Sequence, residues 1–343
     1  MNLPPQTVGD VGEQGLLQRL LPFCATNIVG DDGALLAIGI GQSLVVTTDV
    51  LVDGVHFSGP RYRADPALPG RTTSAEDVGW RAAAANLSDL AAMGAAPLGI
   101  TVGLSLLSDV TLDWVEGLYR GIKLCLNKFN TKIIGGDVCR SSVITVAITA
   151  CGQVAPHRAI RRSAARPGDA IVVTGPHGGS RAGLELLLHP EENNHLEVAL
   201  RQSLIEKHRR PIPRLDIIAQ INEIVKDNWP VGGMDSSDGL ADAVIQICRS
   251  SGVGAEIDCN AIPLFPGWQE FGCTALDYAL YGGEDFELVL CLPEKEAISL
   301  VRQLGEGAAV IGKITAGVEV KLVDAKGVYP EQMLNLEAGF QHF

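Results

Sequence analysis

Seven aspartates sit in short, glycine-flanked, apolar surroundings at five places in the chain. They occur in GDDGALL (Asp31, Asp32), VVTTDVLVDGVHF (Asp49), NLSDLAAMG (Asp89), IIGGDVCR (Asp137) and GGMDSSDGL (Asp235, Asp238). A carboxylate at the end of an apolar strand is costly unless something neutralises it. Few basic residues lie nearby in sequence. Many carboxylates and few bases imply bound divalent cations. Magnesium fits best, and magnesium implies phosphates.

Each acid has its own context. Asp89 is a single charge in AAAANLSDLAAMGAA, a helix whose small residues pack closely on several sides. It reads as a metal ligand, with Asn86 one turn earlier to orient it; a capping or internally bonded aspartate is the alternative. In GDDGALL a turn accounts for one acid better than for two, so at least one, with Asp32 favoured, is expected to ligate metal. Asp49 ends the apolar run VVTTD, where Thr47 and Thr48 complete an all-oxygen cation site. Asp137 ends IIGGD, whose glycines permit close backbone approach to a ligand. GGMDSSDGL joins a strand to a helix. Asp235 and Ser237 share a side if the strand continues, and with Asp238 they form a second oxygen-rich cluster near a helix N-terminus, where phosphate also binds. Capping that helix is the plainer role for Ser237 or Asp238.

Other segments stay open. VVTGPHGGSRAGLELL follows a strand and opens a helix, but fits neither GxGxxG nor GxxxxGK[ST]. A tight turn and a phosphate cradle explain it equally. Arg162, in IRRSAARPGD, either stabilises charge on transferring phosphates or forms a surface ion pair. His56, after Asp53, is either a substrate contact or a satisfied core histidine. YGGEDFELVL puts Glu284 and Asp285 in a loop that either reaches a substrate or only turns.

The elements that must position these residues alternate. Helices are expected over Gly12–Leu21, Asp77–Met93 and Leu112–Phe129, and strands over 34–38, 44–48, 100–106, 132–134 and 143–154. Residues 58–76 are polar and proline-rich, a long surface loop. A fresh start at RPGDAIVVTG places a boundary near residue 155. Beyond it, helices are expected over 181–188, 196–208, 214–225, 239–251, 274–281 and 295–304, with strands over 170–174, 255–258, 286–292, 310–314 and 318–323. Strands alternating with helices in both halves indicate two α/β domains, and 343 residues suffice for two cores.

Composition narrows the classes. A net charge of −13 and only 5% aromatic residues exclude a base-stacking or phosphate-backbone binder, so no nucleic acid partner is expected. Eight cysteines without a CxxC pair read as buried thiols of a reducing cytoplasm. MNLPPQTVGDVGEQ has neither the basic region nor the apolar core of a secretory signal. The uncharged stretch from Leu90 to Ser108 is too rich in glycine and serine for a membrane span.

Together, NLSDLAAMGA, GGD, SDGL and GGEDFEL, in order from about Gly30 to the C-terminal GFQHF, resemble the thiamine-monophosphate kinase family of the aminoimidazole-ribonucleotide-synthetase-like ATP-binding superfamily. The resemblance implies an α/β (α+β) chain. Its N-terminal domain, residues 1–155, binds metal and ATP and forms a homodimer through its strands; residues 156–343 complete the nucleotide and substrate site. The implied reaction is phosphorylation of thiamine phosphate to thiamine diphosphate by ATP, a direct in-line transfer assisted by several magnesium ions. By position, Asp32, Thr47, Thr48, Asp49, Asp89, Asp137, Asp235 and Asp238 fall on metal-binding places. Gly136, Asp137, Arg162 and Ser237 fall on ATP-contacting places, and His56, Glu284 and Phe340 on places that contact thiamine phosphate. Phe340 can stack on the thiamine ring but has no hydroxyl to offer. The loop from Gly59 to Arg71 looks longer than the family's. The two groups of carboxylates are expected to converge on magnesium and the ATP phosphates, and Asp31 is the one best explained as a turn residue. Another ATP-dependent synthetase of the superfamily, and a sensor that binds nucleotide or metal without turnover, remain as alternatives.

Overall fold

Period-two burial along strands and close approach between helices build the first of two units, Met1–Leu90 with Ala96–Gln153. The computed structural model describes residues 6–24, 37–60, 73–191, 196–225, 229–272, 274–324, 326, 331–336 and 339. Asp31, Asp32 and Phe340 therefore lie outside the described residues, as does most of the long loop after His56.

Helix α1 (Val8–Leu20) opens with a reciprocal capping box between Thr7 and Asp10 and kinks at Gly12, where φ is 65°. It starts earlier than expected because the cap lies upstream of that glycine. Strands β1 (Ser43–Val52), β2 (Ala96–Leu106), β3 (Ile133–Arg140) and β4 (Thr145–Val154) form a sheet of order β1-β4-β2-β3. β2 runs parallel to β3 and antiparallel to β4. One face carries buried Val102, Leu104, Val146 and Ile148. Helix α2 (Ala75–Ala92) reaches this side of β1 through its hydrogen bonds. Helix α3 (Leu112–Lys128) meets α2 so closely that a Cβ on Gly79 would lie 2.0 Å from the Leu118 carbonyl oxygen.

Two site residues sit differently from expectation. Asp49 and Asp137 lie inside strands, not at their ends, because β1 continues to Val52 and β3 runs through both glycines to Arg140. β2 pairs with β3 along that whole length and makes the extended conformation worthwhile.

The second unit comprises Ala91–Ala95 and Val154–Phe343. Its strands are β5 (Ala170–Val173), β6 (Gly232–Asp235), β7 (Gly254–Asp258), β8 (Leu288–Leu292), β9 (Ala309–Thr315), β10 (Val320–Val323) and β11 (Gln332–Met333). They form one sheet of order β11-β10-β7-β9-β5-β8-β6. β7 and β10 pair in parallel; the other pairs are antiparallel. The helices are α4 (Gly179–Leu188), α5 (Val198–Arg209), α6 (Ile218–Ile224), α7 (Leu240–Ser251), α8 (Thr274–Tyr281) and α9 (Glu294–Leu304). β5 and β8 are buried at every residue, as strands covered on both faces must be. One core gathers Leu240, Val244 and Ile247 of α7 with Ile257 and Val289. A second gathers Ile221 of α6 and Leu300 of α9 with Leu288 and Leu290, and a third gathers Leu186 of α4 and Leu204 of α5 with Phe265.

The expected helix over 214–225 splits into a 3-10 turn at Leu215–Ile217 and the short α6. The expected strand at Phe286 begins only at Leu288, because Phe286 has a φ of 52° and extended pairing excludes that conformation. The apolar stretch from Leu90 resolves into the end of α2, a turn and β2. Among the described residues no helix is long and apolar enough to cross a membrane.

One ion pair inside the second unit has a direct consequence for stability. Glu287 is buried, and its Oε2 accepts from Arg214 Nη1 at 2.6 Å and from Thr174 Oγ1 at 2.7 Å. Removing the arginine strands a buried charge. Arg214→Met is expected to cost about 3 kcal/mol or more, measured by urea unfolding. A loss below about 1 kcal/mol, the scale of a surface pair, would contradict this.

Candidate functional site

In the first unit the alternation of β1 sorts the candidate ligands by face. Thr47 and Asp49 point toward α2. The Thr47 hydroxyl donates to Oδ2 of Asp89 on α2. The Asp49 amide donates to Oδ1 of Asn86 at 3.2 Å, and the Asn86 Nδ2 donates to the Ala82 carbonyl at 3.0 Å. Asn86 thus locks β1 to α2 rather than orienting Asp89. The Thr47 hydroxyl and the Asp89 carboxylate are in contact, and Asp49, two residues further along β1, is on the face of Thr47.

Thr48 and Asp137 do not join them. Thr48 points to the opposite face, where its hydroxyl lies 2.8 Å from that of Thr149. Thr149 and Ala147 of β4 share that face. Ala147 pairs with Gly103 of β2, and Gly103 pairs with Asp137. Asp137 therefore faces the same way as Thr48, on the far edge of the sheet, three strand spacings or roughly 14 Å from β1. Next to it, Gly136 is required: a Cβ there would lie 2.4 Å from the Val102 carbonyl oxygen.

His56 follows β1 in a turn. Its Nδ1 accepts from the Val52 amide at 3.0 Å, so the neutral ring carries its proton on Nε2. Its carbonyl accepts from Arg81 at 2.8 Å. The residue has both the structural bonds of a fixed histidine and a donor at Nε2.

In the second unit Asp235 ends β6 at 2% exposure. Arg162 lies in a short 3-10 turn whose preceding residue, Arg161, bridges to Gly232 at the start of β6. The Ser237 carbonyl accepts from the Glu284 amide at 2.8 Å, and a Cβ on Gly283 would lie 2.3 Å from that same oxygen. The SSD turn and the GGED segment are therefore in direct contact, joining Ser237 to Glu284. The N-cap of α7 is Gly239, which has no side chain to offer, so neither Ser237 nor Asp238 holds the N-cap position. Glu284 has a φ of 68° and its carboxylate lies 3.6 Å from Nδ1 of His208. A side-chain-bearing residue in the left-handed region is strained, and such strain concentrates at functional sites.

Asp285 settles what the glycine-rich loop before α4 does. Its carboxylate accepts from the Gly178 amide at 2.6 Å and the Ser180 amide at 2.9 Å. The N-terminus of α4 is thus occupied by the protein's own carboxylate, and the loop is not a phosphate cradle. No local residue caps α4 because Gly178 is its N-cap; the cap arrives from across the unit. Burial pushes the Asp285 carboxyl up to about 7, outweighing the two amide bonds that favour its ionised form. Asp285 and Glu287 also line a cavity of about 300 Å³ with Lys207, Arg214 and Phe265.

Sequence reasoning missed the polar network beneath the SSD turn. Ser236 donates its amide to the Glu287 carbonyl at 2.9 Å, and its hydroxyl lies 3.1 Å from Nε2 of His177. No periodicity signals these residues; their pairing spans both ends of the unit.

Among the described residues seven cysteines are free; Cys125, Cys248 and Cys291 are buried as expected, whereas Cys24, Cys151 and Cys259 are only partly buried and Cys139 is exposed beside Ser105. Among the described residues, the one trio of acidic or thiol side chains with ligand atoms within 4.8 Å is Asp258, Cys259 and Asp324. The Asn260 side-chain amide already bonds both carboxylates, at 3.0 and 2.5 Å.

Residues 30–154 match the model of the AIR synthase related protein N-terminal domain, and residues 166–325 that of its C-terminal domain. The chain is 48% identical to thiamine-monophosphate kinase of Synechococcus elongatus over 343 residues, 98% of each chain. The crystal structure of thiamine-monophosphate kinase from Stenotrophomonas maltophilia is similar at a TM-score of 0.73 and 33% identity, covering 90% of this chain and 94% of that one. A structure described as AaThiL complexed with AMPPCP and TMP is similar at a TM-score of 0.71 and 31% identity, over 97% and 98% of the two chains.

The elevated Asp285 carboxyl makes stability depend on pH. Between the ordinary 3.8 and about 7 the folded state holds more protons here than the unfolded state. The stabilisation is complete below that window and lost as pH rises through it. Unfolding free energy is expected to fall by up to about 1.4 kcal/mol per pH unit from this group. Asp285→Asn should remove that component, seen as a flatter stability profile in urea titrations from about pH 5 to pH 7. Identical slopes for both proteins would contradict the assignment.

Proposed function

The chain belongs to the thiamine-monophosphate kinases of the AIR synthase related family, and on that premise we propose that it converts thiamine phosphate and ATP to thiamine diphosphate and ADP. The observation that carries the proposal is the Thr47, Asp49 and Asp89 constellation. Asn86 pins α2 to β1, the Thr47 hydroxyl meets the Asp89 carboxylate, and Asp49 follows on the Thr47 face of the strand. The similar structure described with AMPPCP and TMP supports the choice of both substrates.

The residues fit magnesium. The donors are all oxygen, with neither thiolate nor imidazole among them, which is the chemistry a hard cation selects. Thr47 and Asp89 already stand in contact as neighbouring ligands would. We assign Asp32, Thr47, Asp49, Asp89, Asp235 and Asp238 to metal binding, and Asp137 to a separate metal contact on the opposite face of the sheet; the Thr48 hydroxyl, on that same opposite face, is taken up by Thr149. When bound, magnesium would screen the repulsion between the two anionic phosphates.

The chain's own groups do the rest. Gly136 leaves its backbone bare beside the nucleotide, and Arg162 and Ser237 bind the ATP phosphates. His56 donates from Nε2 to the thiamine phosphate. Glu284 sets a carboxylate against the cationic thiamine, and Phe340 stacks on its ring. No general base is required, because a phosphate monoester is already a dianionic nucleophile near pH 7. Holding both substrates in line supplies the remaining rate. Direct transfer follows, with no phospho-enzyme.

A homodimer completes this reading. Leu44, Val46 and Val50 are exposed on the outward face of β1, the face that also carries Thr48 and Asp137. A second copy covering that apolar face would bring an Asp137 edge to a partner. A cytoplasmic location suits the thiols and the substrates.

The direct test is turnover. Purified protein with ATP, magnesium and thiamine phosphate is expected to yield equal amounts of thiamine diphosphate and ADP. ADP without thiamine diphosphate, or neither, would overturn the proposal. EDTA should abolish turnover, and calcium should restore it poorly because it prefers longer bonds and looser geometry. Asp89→Asn should lower kcat by on the order of 100-fold with the melting temperature kept. Near-normal kcat would remove Asp89 from the metal site.

A further inference from the structure

We propose that His177 is a positioning residue for the turn after β6, holding Asp235 and Ser237 in place through the hydroxyl of Ser236. This rests on the metal and nucleotide roles proposed above for those two residues. His177 is fully buried in the loop between β5 and α4. Its backbone is fixed on both sides: its amide donates to the Pro263 carbonyl at 2.9 Å, and its carbonyl accepts from the Phe265 amide at 3.2 Å. The ring therefore has a set place from which to act.

The protons can be placed by elimination. Nδ1 lies 3.0 Å from the Gly175 carbonyl oxygen, which only accepts, so Nδ1 carries the hydrogen. Burial holds the ring neutral by pushing its pKa down, which leaves Nε2 as an acceptor. Ser236 Oγ stands 3.1 Å from Nε2 and 3.1 Å from the Glu287 carbonyl oxygen. That carbonyl already receives the Ser236 amide at 2.9 Å. The one hydroxyl proton is shared between two acceptors, the Glu287 carbonyl and Nε2, and its donation to Nε2 couples the turn to His177. Ser236 is held at both its amide and its side chain, and its two neighbours in sequence are Asp235 and Ser237.

The other end of the network is equally fixed. The Glu287 carboxylate is held by Arg214 and Thr174 and closes on Gly175, where a Cβ would lie 2.3 Å from Oε1. Burying an imidazole and a hydroxyl at 0% and 1% exposure is costly unless they are paired. Apolar residues would fill the same space without that cost. What the pair adds is a unique orientation of the turn. Outer-shell partners of this kind orient ligands without touching the ion.

The test uses the full-length protein and two readouts. Manganese binding is titrated by electron paramagnetic resonance in the presence of AMPPCP, and kcat and KM are measured against magnesium and thiamine phosphate. Ser236→Ala and His177→Leu are expected to weaken manganese binding about tenfold and raise the half-saturating magnesium similarly. The KM for thiamine phosphate should stay unchanged. His177→Gln, whose amide reaches the Nε2 position, should recover to within about threefold of wild type. Ser236→Ala is a small change that keeps the test open if His177→Leu fails to fold. A folded Ser236→Ala protein with wild-type manganese affinity would overturn the inference, as would equal losses in Gln and Leu variants. If the wild type makes no thiamine diphosphate, the proposed function fails, and the manganese titration alone still decides this inference.

Discussion

A glutamate and an arginine held 2.6 Å apart inside the larger unit fix the loops around its SSD turn. Glu287 has 7% exposure, so its charge cannot be left to solvent. Arg214 meets it, and burial of the guanidinium is offset by the charges of Glu287 and Asp216, which raise its pKa. Such a pair adds little net stability compared with well-packed apolar residues. Its effect is geometric. The Glu287 carboxylate fills the space beside Gly175, and its carbonyl receives Ser236. One ion pair thereby fixes the loop after β5, the turn after β6 and the start of β8.

Carboxylates do two kinds of work here, and their partners tell them apart. Asp285 and Glu287 are met by fixed amides, a hydroxyl and a guanidinium. They shape the chain, and Asp285 takes the helix terminus that an anion would otherwise occupy. The Asp89 carboxylate is met by the Thr47 hydroxyl, and Asp49 lies two residues further along β1 on the face of Thr47, so the donors gathered there are oxygens. The first kind positions loops, including the strained Glu284; the second is suited to a cation.

Much of this was legible in sequence, and the exceptions have physical causes. The helix at Thr274–Tyr281 is where its pattern puts it, and Asp89 lies in the small-residue helix that its neighbours describe. The separation of Thr48 from Thr47 and Asp49 follows from the period of two once β1 is known to be a regular strand; treating the three as one cluster ignored it. The extension of β3 through Gly135 and Gly136 needed a pairing partner, which local sequence does not show. The glycine-rich loop before α4 stayed ambiguous because Asp285, which decides it, lies 105 residues from Ser180. The His177 and Ser236 pair was invisible for the same reason. Contacts between distant segments leave no mark on local periodicity.

The central claim is that these carboxylates hold divalent cations for phosphoryl transfer. Anomalous diffraction from crystals grown with manganese and AMPPCP tests it most directly. Peaks are predicted at coordination distance, about 2 Å, from carboxylate oxygens of Asp49, Asp89 and Asp235. Bound nucleotide with no anomalous peak at those oxygens, or with peaks only at Asp258 and Asp324, would contradict it.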